Sequence, residues 1–302
     1  MSLLKKGLLE ATKATAKQPE LKSDTLSSQH IEPLPQHGAY AFLPFISLST
    51  TTSDPAHGPI KVKDTSSWTY SGPILRPSAT HLPPSLHTWS QLTISDPSSF
   101  LQRLIPLFSF LQSFLAEADV ECYWLTIRAS KPTPEYDERR WHIDDDFFLP
   151  NFDGRAIRYK LCTTLLGAST LFVQDNETAL HTIKTTKAHE RPKHQHECTT
   201  LRCFGCSTYA DTVRHSLAQQ LQHHETISAA PNEIAFFRIG QHHGAVHSEP
   251  AHDTDRIFVN IVPGTERELR GLGAKWGMAW PRAWMLGVTV PGEAYCQVVG
   301  KP

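Results

Sequence analysis

No stretch of these 302 residues approaches the roughly 20 consecutive apolar positions that a membrane-spanning helix needs, so no membrane partner is expected. Charge of one sign is missing too. Lys and Arg total 29 against 30 Asp and Glu, which leaves a formal −1 and none of the basic excess that nucleic-acid binding requires. Cysteine is sparse: six in a chain this long do not make a disulfide framework. Cys122, Cys162 and Cys296 sit in apolar, strand-like runs and read as small core residues. The opening segment, Met1 to Lys22, has too short an apolar run for a signal peptide. It also lacks arginine and carries Glu10 and Glu20, against a mitochondrial transit peptide, so the expected compartment is the cytoplasm. No pattern specifies an oligomer.

Histidine, by contrast, is abundant. There are 17, and 11 of them fall between His181 and His252, a concentration that directs attention to metal ligation.

Residues 1–35 are polar and poor in aromatics and are expected to be disordered or loosely attached, ahead of a single domain over 36–302. From Pro33 to Pro84, prolines and Ser/Thr surround short apolar islands, which predicts an irregular arm over a core. Residues 97–118, opening with Asp96-Pro-Ser-Ser, place Leu and Phe at helical spacing, with Pro106 as a kink or break. Short strand-length runs follow: Cys122–Ile127, Ile157–Leu166, Thr170–Val173, Ile234–Ile239, Ala245–His247, Arg256–Val262 and Leu286–Val299. A second helix is expected over 207–224. Helices flanking many short strands predict an α+β protein built on a β-sandwich or barrel.

The sharpest local string is Arg139-Arg-Trp-His142-Ile-Asp144-Asp-Asp. In extended chain, residues i and i+2 share a face, so His142 and Asp144 can offer an imidazole and a carboxylate to one metal. Alone, such a string recurs by chance as two polar loop residues. A second string strengthens it: Gly240-Gln-His-His-Gly-Ala-Val-His247-Ser-Glu-Pro-Ala-His252-Asp-Thr-Asp-Arg256. A strand ending at His247, a turn through Pro250 and Asp253, and a strand from Arg256 predict a hairpin that turns His247 and Arg256 into one cavity. His252 lies inside that turn, and His242 and His243 flank Gly244 at its entrance; His247 is the expected ligand. Two histidines and one carboxylate on one face of Fe(II) leave three positions open.

H-x-D, a gap of about a hundred residues, then a His followed nine positions later by an Arg resembles the Fe(II)/2-oxoglutarate-dependent oxygenase superfamily. The His247-Ser-Glu-Pro run and Tyr159-Lys-Leu-Cys-Thr-Thr-Leu-Leu-Gly are also similar to a family with a His-(Arg/Ser)-x-Pro signature. The resemblance covers about residues 120–265. It implies a double-stranded β-helix (jelly-roll, cupin-like) core, Fe(II) on His142, Asp144 and His247, O2, and 2-oxoglutarate held by Arg256 through its distal carboxylate. Many members carry Ser or Thr two residues after that Arg. Here the position is Phe258, so Thr163 or Thr164 is expected to supply the hydroxyl.

Pocket walls are expected from Trp141, Arg158, Tyr159, Ile234, Phe236 and Arg238, around a small-molecule substrate. The Ile234-x-Phe236 pair within Asn232-Glu-Ile-Ala-Phe-Phe resembles fungal iron oxygenases of secondary metabolism. Those enzymes close the amine of L-valine into an aziridine on the way to 2-aminoisobutyrate. The resemblance therefore extends the expected reaction from hydroxylation to ring closure on an amino acid.

One cluster stands apart: His189-Glu-Arg-Pro-Lys-His194-Gln-His196-Glu-Cys198-Thr-Thr-Leu-Arg-Cys203-Phe-Gly-Cys206, an insertion over about 183–206. Cys203-x-x-Cys206 is spaced for two thiolates on one tetrahedral ion. Cys198 with His194 or His196 can complete a zinc site. The competing classes are a non-catalytic, zinc-stabilised cupin-like binding protein and a zinc hydrolase, since imidazole and carboxylate also suit Zn²⁺.

Overall fold

The computed structural model of the chain describes residues 38–46, 60–148, 158–196, 198 and 203–288. The expectations for residues 1–35, for Cys296 and for most of the Leu286–Val299 run lie outside them.

Mixed helix and sheet is the observed class. Seven strands form one antiparallel sheet in the order β1-β7-β4-β9-β3-β2-β10. They are β1 (Tyr40–Pro44), β2 (Ser66–Pro73), β3 (Cys122–Ser130), β4 (Arg158–Leu166), β7 (Glu233–Ile239), β9 (Arg256–Gly264) and β10 (Arg282–Leu286). A smaller sheet takes β5 (Leu171–Val173), β6 (Thr226–Ser228) and β8 (His247–Ser248), in the order β6-β5-β8.

The two faces of the large sheet have different partners, and alternation along each strand sorts the residues between them. Leu125 and Ile127 of β3, Leu161 of β4, Ile234 and Phe236 of β7, and Ile257, Val259 and Ile261 of β9 point to one side. There they meet α1 (Pro84–Thr93) and α2 (Pro97–Ala116), forming the main core. Helix α2 is started by Asp96, whose carboxylate accepts from the Ser99 amide, with Pro97 at its first position. Its Phe100, Leu104, Leu107, Phe108, Leu111 and Leu115 form the apolar stripe laid on the sheet. The helix runs through Pro106 without ending. The bond Pro106 cannot make is the one to Gln102, an exposed position.

On the other side, Cys162, Ala235 and Phe237 face the small sheet. Phe172 of β5 lies 5.3 Å from Phe237, and His247 of β8 lies 5.1 Å from it, so the two sheets pack face to face there. Behind the small sheet, α3 (Asn176–Glu190) and α4 (Phe204–Gln220) pair with each other. Ala179, Ile183, Val213 and Leu217 pack with Trp141, Ile143, Val173 and Val246. A further helix, α5 (Glu266–Ala274), is started by a reciprocal capping box between Thr265 and Glu268.

The cysteine–histidine stretch expected as an insertion over about 183–206 lies between β5 and β6 and takes in the end of α3, at Glu190, and the start of α4, at Phe204. Two expectations are corrected. The Pro33–Pro84 stretch is not merely an arm: β1 is an edge of the large sheet, pairing with β7, and β2 sits between β3 and β10. Nor is there a hairpin joining His247 to Arg256. β8 pairs with β5 in the small sheet, whereas β9 pairs with β3 and β4 in the large one. The segment between them, carrying Pro250, crosses from one sheet to the other. Among the described residues no helix is long and apolar enough to cross a membrane.

Candidate metal centre

His142 and His247 lie on neighbouring backbones although β8 belongs to the small sheet. Each donates its amide to the other's carbonyl, both at 3.0 Å, as an isolated antiparallel bridge. Their rings are 4.3 Å apart. Asp144, two residues after His142 in extended chain, joins them. Its Oδ1 is 3.7 Å from His142 Nε2 and its Oδ2 is 3.5 Å from His247 Nε2. One ligand atom from each of the three lies within 4.8 Å of the others, close enough for one ion. The expected triad is assembled.

Neighbouring backbone carbonyls set which nitrogen is offered. His142 Nδ1 is 2.7 Å from the Arg140 carbonyl and His247 Nδ1 is 2.9 Å from the Ala245 carbonyl. A carbonyl can only accept, so both Nδ1 atoms carry the proton and both Nε2 lone pairs face Asp144. Burial, with the charge of His142, pushes His247 down to about 4, which keeps it neutral and ligating at ordinary pH. Burial alone would raise the Asp144 carboxyl. The electrostatic influence of His247 and Lys160, a hydrogen bond from Lys160 and the nearby His142 outweigh it and hold Asp144 below its usual value. That bond, from Lys160 Nζ to Asp144 Oδ2, is 2.6 Å long.

The triad opens onto a cavity of about 300 Å³ between the sheets. Trp124, Thr126 and Arg128 come from β3, Lys160 and Cys162 from β4, Phe237 from β7, and Phe258 and Asn260 from β9. All lie on the cavity face by strand alternation, and Thr170, Phe147 and Glu249 add to the wall from loops.

Arg256 shares that face, two residues before Phe258, and is only 4% exposed. Its Nε donates to the Ala168 carbonyl at 2.9 Å, and its guanidinium carbon sits 4.5 Å from the Phe258 ring centre. Nη2 is buried and has no hydrogen-bond partner among the described residues. Burial lowers the guanidinium to about 10, still charged at neutral pH. A buried cation with an idle N–H, one aromatic ring from the cavity, fits an anionic group arriving from outside the chain.

The other assignments divide. Thr164 pairs with Phe258, shares the cavity face, and keeps a buried hydroxyl without a partner among the described residues. Thr163 faces the other way and donates to the Glu233 carbonyl at 2.6 Å, so it is not the hydroxyl near Arg256. Ile234, Phe236 and Tyr159 are corrected from wall to core, with Tyr159 stacked on Phe236 at 4.7 Å. Arg238 pairs with Tyr159 in register and so sits on that same helix-covered face. Arg158 is bound to Glu268 at 2.6 Å and does not line the cavity. Trp141 packs with the α3–α4 residues rather than in the cavity. His252 turns away from the triad against Tyr136, 4.4 Å between ring centres, and His242 and His243 are exposed. Sequence reasoning missed Phe237, Thr126, Arg128 and Asn260. The signal was the shared register of β3, β4, β7 and β9, which no local pattern carries.

The second cluster is also assembled. His196, Cys198, Cys203 and Cys206 place one ligand atom each within 4.8 Å of one another. His194, the alternative ligand, instead rests edge-on against Tyr209. Backbone amides of Cys206 and Gly205, together with the Cys198 thiol, pull the Cys203 thiol below its usual value.

No family model matches the chain, and neither does any curated protein or solved structure, so the reading of its site rests on this geometry alone.

Proposed function

We propose that the chain is a mononuclear non-haem Fe(II) oxygenase that uses 2-oxoglutarate to oxidise a C–H bond of a small molecule, on a jelly-roll scaffold. The observation that carries this reading is the His142/Asp144/His247 face, with both Nε2 atoms directed at one carboxylate beside a partly open cavity. His142, Asp144 and His247 would hold Fe(II) there, and the ion would supply the redox chemistry for oxidation by a 2-oxo acid and O2. The chain's own residues do the rest. The Nδ1–carbonyl bonds fix both imidazoles, Lys160 orients Asp144, and Arg256 offers a buried planar cation to the far carboxylate of 2-oxoglutarate. Trp124, Phe237 and Phe258 give the cavity an apolar wall.

The cavity suits a small substrate, and Arg128 with Asn260 offers it polar contacts in place of Arg158 and Arg238. An amino acid such as L-valine, hydroxylated or closed to an aziridine, belongs to this class. The residues that carried that finer resemblance, Ile234 and Phe236, lie in the core.

Anaerobic loading with Fe(II), then 2-oxoglutarate, then O2 tests the reading. The expected result is stoichiometric iron, a visible charge-transfer band on adding 2-oxoglutarate, and succinate release under O2. Zn²⁺ bound in a form that His247→Ala abolishes, with no change on adding 2-oxoglutarate, would move the triad to the zinc hydrolase or cupin-like binding class.

A further inference from the structure

We infer that His196, Cys198, Cys203 and Cys206 hold a structural Zn²⁺ that clasps the end of α3 to the start of α4 and so braces the helical pair behind the metal centre. Among the described residues the cluster offers four donors, the number a closed tetrahedral site takes. With Zn–S near 2.3 Å and Zn–N near 2.0 Å, a tetrahedron needs S···S of about 3.8 Å and S···N of about 3.5 Å. Cys198 Sγ lies 3.6 Å from Cys206 Sγ, and His196 Nε2 lies 3.2 Å from Cys206 Sγ. Both lie within a few tenths of an ångström of those values, and all four ligand atoms lie within 4.8 Å of one another. His196 Nδ1 is 2.8 Å from the His194 carbonyl, so it carries the ring proton and leaves Nε2 as the ligand. The thiolate-rich set selects zinc, whereas the nitrogen–oxygen set at His142 suits Fe(II).

Two further observations favour an ion over idle thiols. The residue inside the Cys203-x-x-Cys206 turn is Gly205, and a Cβ there would sit 2.5 Å from His196 Cγ. Only glycine lets the imidazole close over the thiols. Moreover, α4 runs 17 residues yet buries only Val213 and Leu217. A helix with so little apolar contact needs another tether. What it does bury reaches the centre's supports: Trp141, Ile143 and Val246, the immediate neighbours of His142, Asp144 and His247, share its hydrophobic cluster.

The test is metal content of the full chain, purified without chelator or metal-affinity steps. About one zinc per chain is expected, retained when iron is stripped by a mild ferrous chelator. A mercurial added to the wild-type chain should release that zinc in step with thiol modification, followed with a zinc-sensitive dye. Cys203→Ser should lose the zinc and melt at lower temperature, while His196→Cys, which keeps four ligands, should retain it. If Cys203→Ser fails to fold, the wild-type titration decides. A wild-type chain that stays zinc-free after incubation with Zn²⁺, or that carries iron in these thiols, would overturn the proposal. Because the readout is zinc, its failure leaves the oxygenase reading untouched.

Discussion

Lys160 and Asp144 form a 2.6 Å ion pair inside the candidate metal centre, on the same carboxylate oxygen that faces His247 Nε2. The ammonium therefore occupies a lone pair close to where a metal must bind, and it repels a divalent ion. At an effective dielectric near 20, a divalent ion and an ammonium about 5 Å apart repel by about 7 kcal/mol before screening. Lys160→Met should then tighten Mn²⁺ or Fe(II) binding about tenfold, a modest fraction of that repulsion. Calorimetric titration of the metal-free chain measures it; weaker binding would mean that Lys160 acts chiefly by orienting Asp144.

His142→Ala, Asp144→Ala and His247→Ala should each lose bound iron, with affinity falling at least about 100-fold, more than the loss of an outer-shell contact. His252→Ala should keep full iron, since its ring packs on Tyr136. Metal analysis after gel filtration distinguishes them.

Arg256→Ala should weaken 2-oxoglutarate binding by about two to three powers of ten, because a buried carboxylate without its partner costs about 3–5 kcal/mol. Arg256→Lys should recover part, as an ammonium lacks the planar fork. Iron content should be unchanged in both. Wild-type affinity in Arg256→Ala would pass the role to Lys160 or Arg128, the cations that line the cavity.

Phe236→Ala should cost about 3–5 kcal/mol of stability, as for a fully buried ring, with metal stoichiometry intact. Phe237→Ala opens the cavity instead and should alter ligand binding. Chemical denaturation and metal analysis on the pair separate the two faces of β7.

Gly244→Ala should lower the melting temperature and loosen the metal. Its Cβ would meet Ile143 Cγ2 at 2.2 Å, and Ile143 lies between two ligands. Overpacking of this kind costs about 1–3 kcal/mol.

The candidate metal ligands were legible because extended spacing puts His142 and Asp144 on one face, and His247 stands at the end of an apolar run. Helix α2 was legible from its Asp96-Pro97 start and leucine spacing. Helix α3 was not: Asn176–Glu190 buries only Ala179, Ile183, Thr186 and Glu190, too little apolar contrast to stand out. β1 and β2 hid among Ser, Thr and Pro because their strand character comes from partners far along the chain. The choice of Phe236 over Phe237 failed for a related reason. Both faces of β7 are buried, so Ile234–Phe237 shows no alternation from which to read a side. The hairpin expected between His247 and Arg256 failed because β8 finds its partner in β5, far earlier in the chain.

The reciprocal amide–carbonyl bridge of His142 and His247 also orders events in time. Its two halves are about a hundred residues apart in sequence. Closing so long a loop is entropically costly, and such non-local contacts form late as a chain folds. A nascent polypeptide still short of β8 presents only two of the three ligands. Capture of an ion by this face would thus wait until both sheets have met, late in synthesis.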